Sequence, residues 1–292
     1  MKYLSLLAVS CGIWLGLPSQ HATAAAGDLF VADQSGHIYD FTPSGSRTTF
    51  ASGEGALNLA FDARGNLFGA NTGLGSISEF TPSGSQSTVA SGMNQPRALV
   101  FDANGNLFVA NSGEKSILEI TPSGSVSTFT NSIYPFALAF DASGNLYATS
   151  LGAYNAFEFT PSGSESNVDT SPLHTGVSLA FNASGDLFEA DQGGNLIYEF
   201  TPSGTRTTFA SGLDTPYALA FDANGNLYES DAGTGNIYEF TPSGSRSVFA
   251  SGLDEPTGLA FAPDVPEPAS LALLALGSMS LFARRGKLVS AF

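Results

Sequence analysis

The sequence predicts an all-β protein: a six-bladed β-propeller with four strands per blade, flanked by an N-terminal signal helix and a C-terminal hydrophobic helix. Three observations lead there. Between Gly27 and Asp264 the chain repeats itself six times, in units 27–64, 65–104, 105–143, 144–184, 185–224 and 225–264 of 38 to 41 residues each. Every unit holds four short apolar runs separated by turn chemistry, in the last unit Asn226–Asp231, Asn236–Phe240, Ser245–Ala250 and Thr257–Ala262. The composition has 33 Gly, 15 Pro and 23 Phe in 292 residues but only 12 % charged residues. An average soluble domain carries about a quarter charged residues, so this chain suits short strands and tight turns rather than long helices.

The turns explain the strands. Thr-Pro-Ser-Gly begins at Thr42, Thr81, Thr121, Thr160, Thr201 and Thr241. It places proline where a φ near −65° suits a turn, and glycine where φ can be positive. Phe-Asp-Ala-Asn-Gly-Asn, as at Phe221–Asn226, works in the same way, with Asp closing an Asx turn. Strands such as Tyr217–Phe221 are apolar on both faces, as expected where each face packs on a neighbouring blade. The first unit opens on the second strand of a blade and the last supplies an extra first strand. Thr257–Ala262 is therefore expected to pair with Asp28–Asp33, closing a monomeric ring without free sheet ends.

The two ends carry targeting chemistry. Residues 1–26 read as a signal peptide: Lys2, an apolar run from Tyr3 to Leu17, and small residues up to a cleavage region at Ala24, Ala25 and Ala26. The single cysteine, Cys11, lies inside it, so the exported chain would have neither a disulfide nor a cysteine nucleophile. At the other end, Val265-Pro266-Glu267-Pro268 precedes an apolar stretch ending at Ala283, then Arg284-Arg285-Gly286-Lys287 and a short tail, 288–292. Counted from Ala269 that stretch has 15 residues, about 22 Å of helix, short of the ~30 Å hydrocarbon core. This order closely resembles the PEP-CTERM sorting signal of Gram-negative bacteria. The resemblance implies an exosortase-type processing enzyme as partner and cleavage near Pro266–Ala269. It also implies transient membrane anchoring only through this segment, and transfer to the cell surface or extracellular matrix.

The formal charge is −16, and the basic residues are spread thinly. Between the targeting ends there are 6 basic and 25 acidic residues, so nucleic acid is excluded as a partner for want of a basic patch.

The repeat body resembles NHL-repeat and gluconolactonase-like propellers. The resemblance rests on Pro216–Asp222, Gly225-Asn226-Leu227-Tyr228 and Ile237-Tyr238-Glu239-Phe240, and it extends over all six units. Propellers of this kind serve binding, hydrolysis, lyase chemistry and scaffolding. Gluconolactonase-like members hold a divalent metal by Glu, Asn and Asp, and streptogramin-lyase-like relatives use His with a metal. Neither constellation maps residue by residue onto this sequence.

Comparing the units with one another separates framework from candidate site. The turns joining strands one to two and three to four are nearly uniform, whereas the loops at the other end of the ring vary, which makes that end the expected binding face. At its centre the residues opening each innermost strand, Leu57, Arg97, Phe136, Val177, Tyr217 and Thr257, should ring the channel mouth, either meeting a polar or sugar-like ligand or merely filling the channel. Tyr134, Tyr154 and His174 lie nearby, the last two in the most divergent, fourth unit. Strand two closes on Asp33, Asn71, Asn111, Ser150, Asp191 and Asp231, whose oxygens could hold Ca²⁺ but more commonly cap their own loops. Strand three carries one carboxylate per unit: Asp40, Glu79, Glu119, Glu158, Glu199 and Glu239. Arg47, Arg206 and Arg246 are expected to pair with three of these across the hairpin.

The expected function is that of a non-catalytic propeller binding an extracellular glycan or protein, with no cofactor. The alternatives are a metal-dependent lactonase or streptogramin-lyase-like enzyme on the same ring, and a structural matrix spacer.

Overall fold

The computed structural model describes residues 25–53, 55–151, 155–168 and 175–265. Most of the signal segment, the sorting segment with Pro266, Glu267, Pro268, Arg284 and Arg285, both flanking helices, and the loop residues Tyr154 and His174 lie outside the described residues.

Six four-stranded antiparallel sheets account for the rest. Blade 1 contains β1 (Leu29–Asp33), β2 (His37–Phe41) and β3 (Arg47–Ser52). Blade 2 is β4 (Ala56–Phe61), β5 (Leu67–Asn71), β6 (Ser76–Phe80) and β7 (Gln86–Ser91). Blade 3 is β8 (Pro96–Phe101), β9 (Leu107–Asn111), β10 (Ser116–Ile120) and β11 (Val126–Thr130), and blade 4 is β12 (Pro135–Phe140), β13 (Leu146–Ser150), β14 (Asn155–Phe159) and β15 (Glu165–Asn167). Blade 5 is β16 (Gly176–Phe181), β17 (Leu187–Asp191), β18 (Leu196–Phe200) and β19 (Arg206–Ser211). Blade 6 is β20 (Pro216–Phe221), β21 (Leu227–Asp231), β22 (Asn236–Phe240) and β23 (Arg246–Ala250). The last strand, β24 (Pro256–Phe261), joins blade 1 as its innermost strand, in register with Leu29 opposite Phe261 and Val31 opposite Leu259. The closure expected from the repeat phase is thus the one observed.

An aromatic clasp holds each blade to the next. The second residue of strand two meets the last residue of the next blade's strand one edge to face: Phe30 with Phe61, Phe68 with Phe101, Phe108 with Phe140, Tyr147 with Phe181, Phe188 with Phe221 and Tyr228 with Phe261. Ring centroids lie 4.9–5.1 Å apart in all six. Such pairs contribute about 0.5–1.5 kcal/mol each beyond their area burial. Phe50, Phe129, Phe209 and Phe249 add a second edge contact from strand four in blades 1, 3, 5 and 6. This is where the abundance of phenylalanine goes.

The uniform turns behave as their residues require. In each Thr-Pro-Ser-Gly turn the threonine hydroxyl accepts the N–H four residues on, for example Thr241 Oγ1 from Ser245 at 3.1 Å. The glycine takes a φ near +82°, as Gly244 does. In the Asx turns Asp222 Oδ1 accepts from the N–H groups of Asn224 and Asn226.

One expectation fails. Arg47, Arg206 and Arg246 stand opposite Phe41, Phe200 and Phe240, not opposite a carboxylate, because the register puts Asp40, Glu199 and Glu239 across from Thr48, Thr207 and Ser247. Each guanidinium instead lies over the tyrosine two residues before that phenylalanine, at 5.0 Å from Tyr39, 4.5 Å from Tyr198 and 5.0 Å from Tyr238. Asp40 is also not the exposed group its place in the repeat suggests, being only 4 % exposed.

Both described termini lie at the uniform-turn end. β1 starts there, and residues 262–265 leave β24 across blade 2, where a Cβ on Gly65 would come within 3.0 Å of Val265 Cγ2.

Two outcomes check this architecture. Phe30→Ala should cost about 3–5 kcal/mol in urea unfolding, since the ring is fully buried and clasped on both sides. A chain lacking Pro256–Phe261 should elute as aggregate in size exclusion, because β1 becomes an open edge; a monodisperse monomer would contradict the closure.

Candidate functional site

The channel mouth is built by six β-bulges. In every blade the register between strands one and two slips next to the variable end, leaving one or two residues of strand one out of the ladder. Those residues include Leu57, Arg97, Phe136, Val177, Tyr217 and Thr257, the six expected at the mouth. A bulge turns the strand locally and can re-aim the side chain it frees. Nearby N–H groups find side-chain acceptors: Leu99 from Asn58 Oδ1 of the preceding blade (3.1 Å), Leu219 from Ser178 Oγ (3.0 Å) and Ala218 from Ser230 Oγ (2.9 Å).

Described side chains meet across the mouth. The Arg97 guanidinium lies 4.7 Å from the Phe136 ring centroid, and Phe136 meets Tyr217 edge to face at 6.2 Å. Arg97 belongs to β8 and Tyr217 to β20, three steps apart around the ring of inner strands, so the arginine reaches across the channel to the phenol. Burial pushes the Tyr217 phenol above its ordinary pKa even though the charge and hydrogen bond of Arg97 pull it down. Arg97 Nε is buried without a hydrogen-bond partner. Thr257 is 1 % exposed, its hydroxyl donating to the Ala32 carbonyl at 3.4 Å. Among the expected ligand contacts that lie in the described residues, Tyr134 is the most accessible. It is 42 % exposed and carries Lys115 Nζ at 4.4 Å from its ring centroid.

Among the described residues, several loops around the mouth are braced. Gln95, Thr215 and Glu255, each just before the proline that opens strand one, hold φ values of +55°, +56° and +47°. That is costly for a β-branched residue such as Thr215, and its N–H is tied to Asn195 Oδ1 at 3.0 Å. The bracing comes from the strand-two set. Asp231 accepts from the N–H groups of Asp214 (2.7 Å) and Thr234 (3.1 Å) and from the Thr234 hydroxyl. Asp191 accepts from the N–H of Thr175 and Gly194, Asn111 Oδ1 from Asn94 N–H, and Asp33 Oδ1 from His37 N–H. Asn71 donates to Ser78 Oγ at 2.8 Å. Asp33, Asn71, Asn111, Asp191 and Asp231 sit one per blade, so the structure spreads this set around the ring. Among the described residues no three His, Cys, Asp or Glu side chains form a metal-binding group.

Ser35, His37 and Asp33 do meet in the β1–β2 loop, a cluster missed in the sequence. Ser35 Oγ lies 2.6 Å from Asp33 Oδ1 and 2.5 Å from His37 Nδ1, and Asp33 Oδ1 is 3.8 Å from the same Nδ1. A hydrolytic triad needs His between Ser and Asp, one on each ring nitrogen. Here the serine and the carboxylate share one nitrogen, an arrangement that ties the loop together and differs from that of a triad.

Strand two also buries carboxylates that only a unit-by-unit alignment exposes. Glu189 and Glu229 occupy the position of Val31, Gly69, Val109 and Ala148, and both are 0 % exposed. Neither oxygen of Glu229 has a hydrogen-bond partner. Burial first, and the Asp231 charge second, hold its carboxyl well above the usual range, with Arg246 opposing. At the uniform-turn end, clefts of about 370 and 450 Å³ open between blades 2 and 3 and between blades 3 and 4, with Glu79 and Glu119 on their walls.

With this geometry in view, the chain can be set beside known proteins. Residues 264–287 match the PEP-CTERM protein-sorting motif. The chain is accordingly an exported, exosortase-processed surface protein. No curated protein matches it in sequence. Among solved structures it is similar to a chain of the nidogen/laminin complex, with a TM-score of 0.74 and 20 % identity over 80 % of this chain and 98 % of that one. It is also similar to a streptogramin B lyase (TM-score 0.63, 16 % identity, 82 % of this chain and 89 % of that one). Virginiamycin B lyase from Staphylococcus aureus gives a TM-score of 0.63 with 17 % identity, covering 83 % of this chain and 93 % of that one. At such identities the likeness establishes the propeller fold.

The buried carboxylate gives a pH dependence with a defined sign. The folded-state pKa of Glu229 is raised, so its contribution is fully favourable below the unfolded value near 4.5 and is lost as pH rises through the folded value. Thermal melts from pH 4 upward should show Glu229→Gln losing less stability with rising pH than the unaltered chain; parallel curves would contradict the assignment.

Proposed function

We propose that this protein is a non-catalytic binding propeller of the cell surface or extracellular matrix, and that its variable end engages a glycan or protein there. The observation that carries this reading is the mouth itself: Arg97 is committed to Phe136 and Tyr217, while Lys115 stacked on an exposed Tyr134 stands outside it. An exposed aromatic ring with a cation over one face suits a sugar ring bearing hydroxyl or carboxylate groups, and suits an acidic protein loop equally well. The braced loops present this pair on a fixed frame, which lowers the ordering cost of binding.

The lyase-like and lactonase-like alternatives rest on the fold resemblance. They ask for a converging metal set, whereas the strand-two Asp and Asn side chains are engaged in bracing loops on separate blades. A spacer role would leave the Lys115–Tyr134 pair without a use.

The test is a glycan array and a matrix pull-down with the mature chain. The double variant Lys115→Ala, Tyr134→Ala should weaken the binding found at least about tenfold, roughly 1.4 kcal/mol. Its melting temperature should remain near that of the unaltered chain, since Tyr134 is 42 % exposed. Saturable, metal-dependent lactone hydrolysis lost on changing Asp191 or Asp231 would overturn the proposal.

A further inference from the structure

The seam of the ring is a broken turn. In the five covalent turns between strands one and two, two backbone hydrogen bonds recur; at blade 2 they are Asp62 N–H to Asn66 O at 2.9 Å and Gly65 N–H to Asp62 O at 3.2 Å. The seam reproduces both without a covalent link, Ala262 N–H donating to Asp28 O at 2.9 Å and Gly27 N–H to Ala262 O at 3.1 Å. The side chains are not reproduced. Each covalent turn pairs one carboxylate with one amide four residues apart, as Asn66 Nδ2 with Asp62 Oδ2, Asn226 Nδ2 with Asp222 Oδ2, and in reversed order Asn182 Nδ2 with Asp186 Oδ2. At the seam the first of these positions is Ala262 and the second is Asp28, so the carboxylate has lost its amide.

Asp28 finds another donor. Its Oδ2 accepts from the backbone nitrogen of Ala25 at 2.9 Å. Asp28 is 5 % exposed, and it lies on the same strand face as Phe30, which stands opposite Asp40. Asp40 is 4 % exposed and its Oδ1 is buried with no hydrogen-bond partner. Burial, and then the charge of Asp28, raise the Asp40 carboxyl to about 6. Two buried carboxylates with one amide donor between them form a site short of one positive charge. Ala25 itself is exposed, and Ala22-Thr23-Ala24 before it places small residues at the two positions that a leader peptidase reads.

We propose that the leader is removed at the Ala24–Ala25 bond, and that the α-ammonium created on Ala25 becomes a structural part of the seam, held by Asp28 and countering Asp40. Hydrolysis by a leader peptidase adds one water. The Ala24 carbonyl carbon takes the hydroxyl and leaves as a carboxylate on the leader, and the nitrogen keeps its electron pair and is protonated to the ammonium. A neutral amide donor thereby becomes a cation at the place where the carboxylates need one. Export and closure of the ring are coupled through this group: the unprocessed chain closes with the charge deficit, and the processed chain without it.

The test has two parts. Mass spectrometry of the protein recovered from its exporting host should find a mature N-terminus at Ala25; a start at Gly27 or elsewhere overturns the proposal. Thermal melting of the chain beginning at Ala25 is then compared with the same chain bearing two extra residues, Ser-Ala, before Ala25. The extension should lower the melting temperature by about 2–4 °C, the shift that loss of one charge-assisted contact gives in a domain of this size. Asp28→Asn should remove that difference. Asp40→Asn provides an independent arm, raising the melting temperature of the extended chain more than that of the unextended one. Equal melting of the extended and unextended chains overturns the structural role of the ammonium, whatever the mass shows.

Discussion

The edge-to-face contact between the second residue of strand two and the last residue of the next blade's first strand is the constraint on which the ring depends. It recurs at all six junctions with nearly the same spacing. One member of each pair sits on the second strand of its blade and the other on the innermost strand of the next, so every junction is pinned near the axis. A chain so poor in charge has few ion pairs with which to orient its sheets; dispersion and ring quadrupoles do it instead. Where the first ring is tyrosine, at Tyr147 and Tyr228, burial and the neighbouring Glu158 and Glu239 raise the phenol pKa, so the hydroxyl stays protonated and the clasp keeps its form.

With the blades pinned, the inner strands have little freedom left, and the bulges use it. The bulges release residues of the inner strands from the ladder, and the identity of the side chains there decides whether the channel is a pore, a pocket or a plug. Arg97 is long enough to cross to Tyr217 on the far side, and Phe136 covers it. The frame that holds this arrangement is the set of Asp and Asn side chains at the end of strand two, whose oxygens draw the variable loops down onto the sheets. Variation in the loops is tolerated because their anchoring atoms scarcely vary.

Much of this was legible in the residues. The repeat period located the blades, its phase located the seam, and Pro-Ser-Gly and Asx chemistry located the turns. The six positions that open the innermost strands, equivalent by repeat, all fall at the bulges. What did not follow was contact across the ring, because no local pattern says that the side chain of Arg97 spans the channel. The arginine pairings went astray for a related reason: the Thr-Pro-Ser-Gly turn between strands three and four of blade 1, like its counterparts, sets Arg47 against Phe41, and the guanidinium lies over Tyr39. Glu229 was hidden because a polar residue at an inward position looks like ordinary alternation until it is laid against Val31 and Val109.

Val265 resting over Gly65 has a directional consequence. The chain leaves the ring at the uniform-turn end, and four residues separate β24 from the Pro-Glu-Pro segment, a span of at most about 14 Å. The sorting segment is therefore joined to the ring at its monotonous end, and the end that carries Tyr134 and the braced loops is the one opposite that junction.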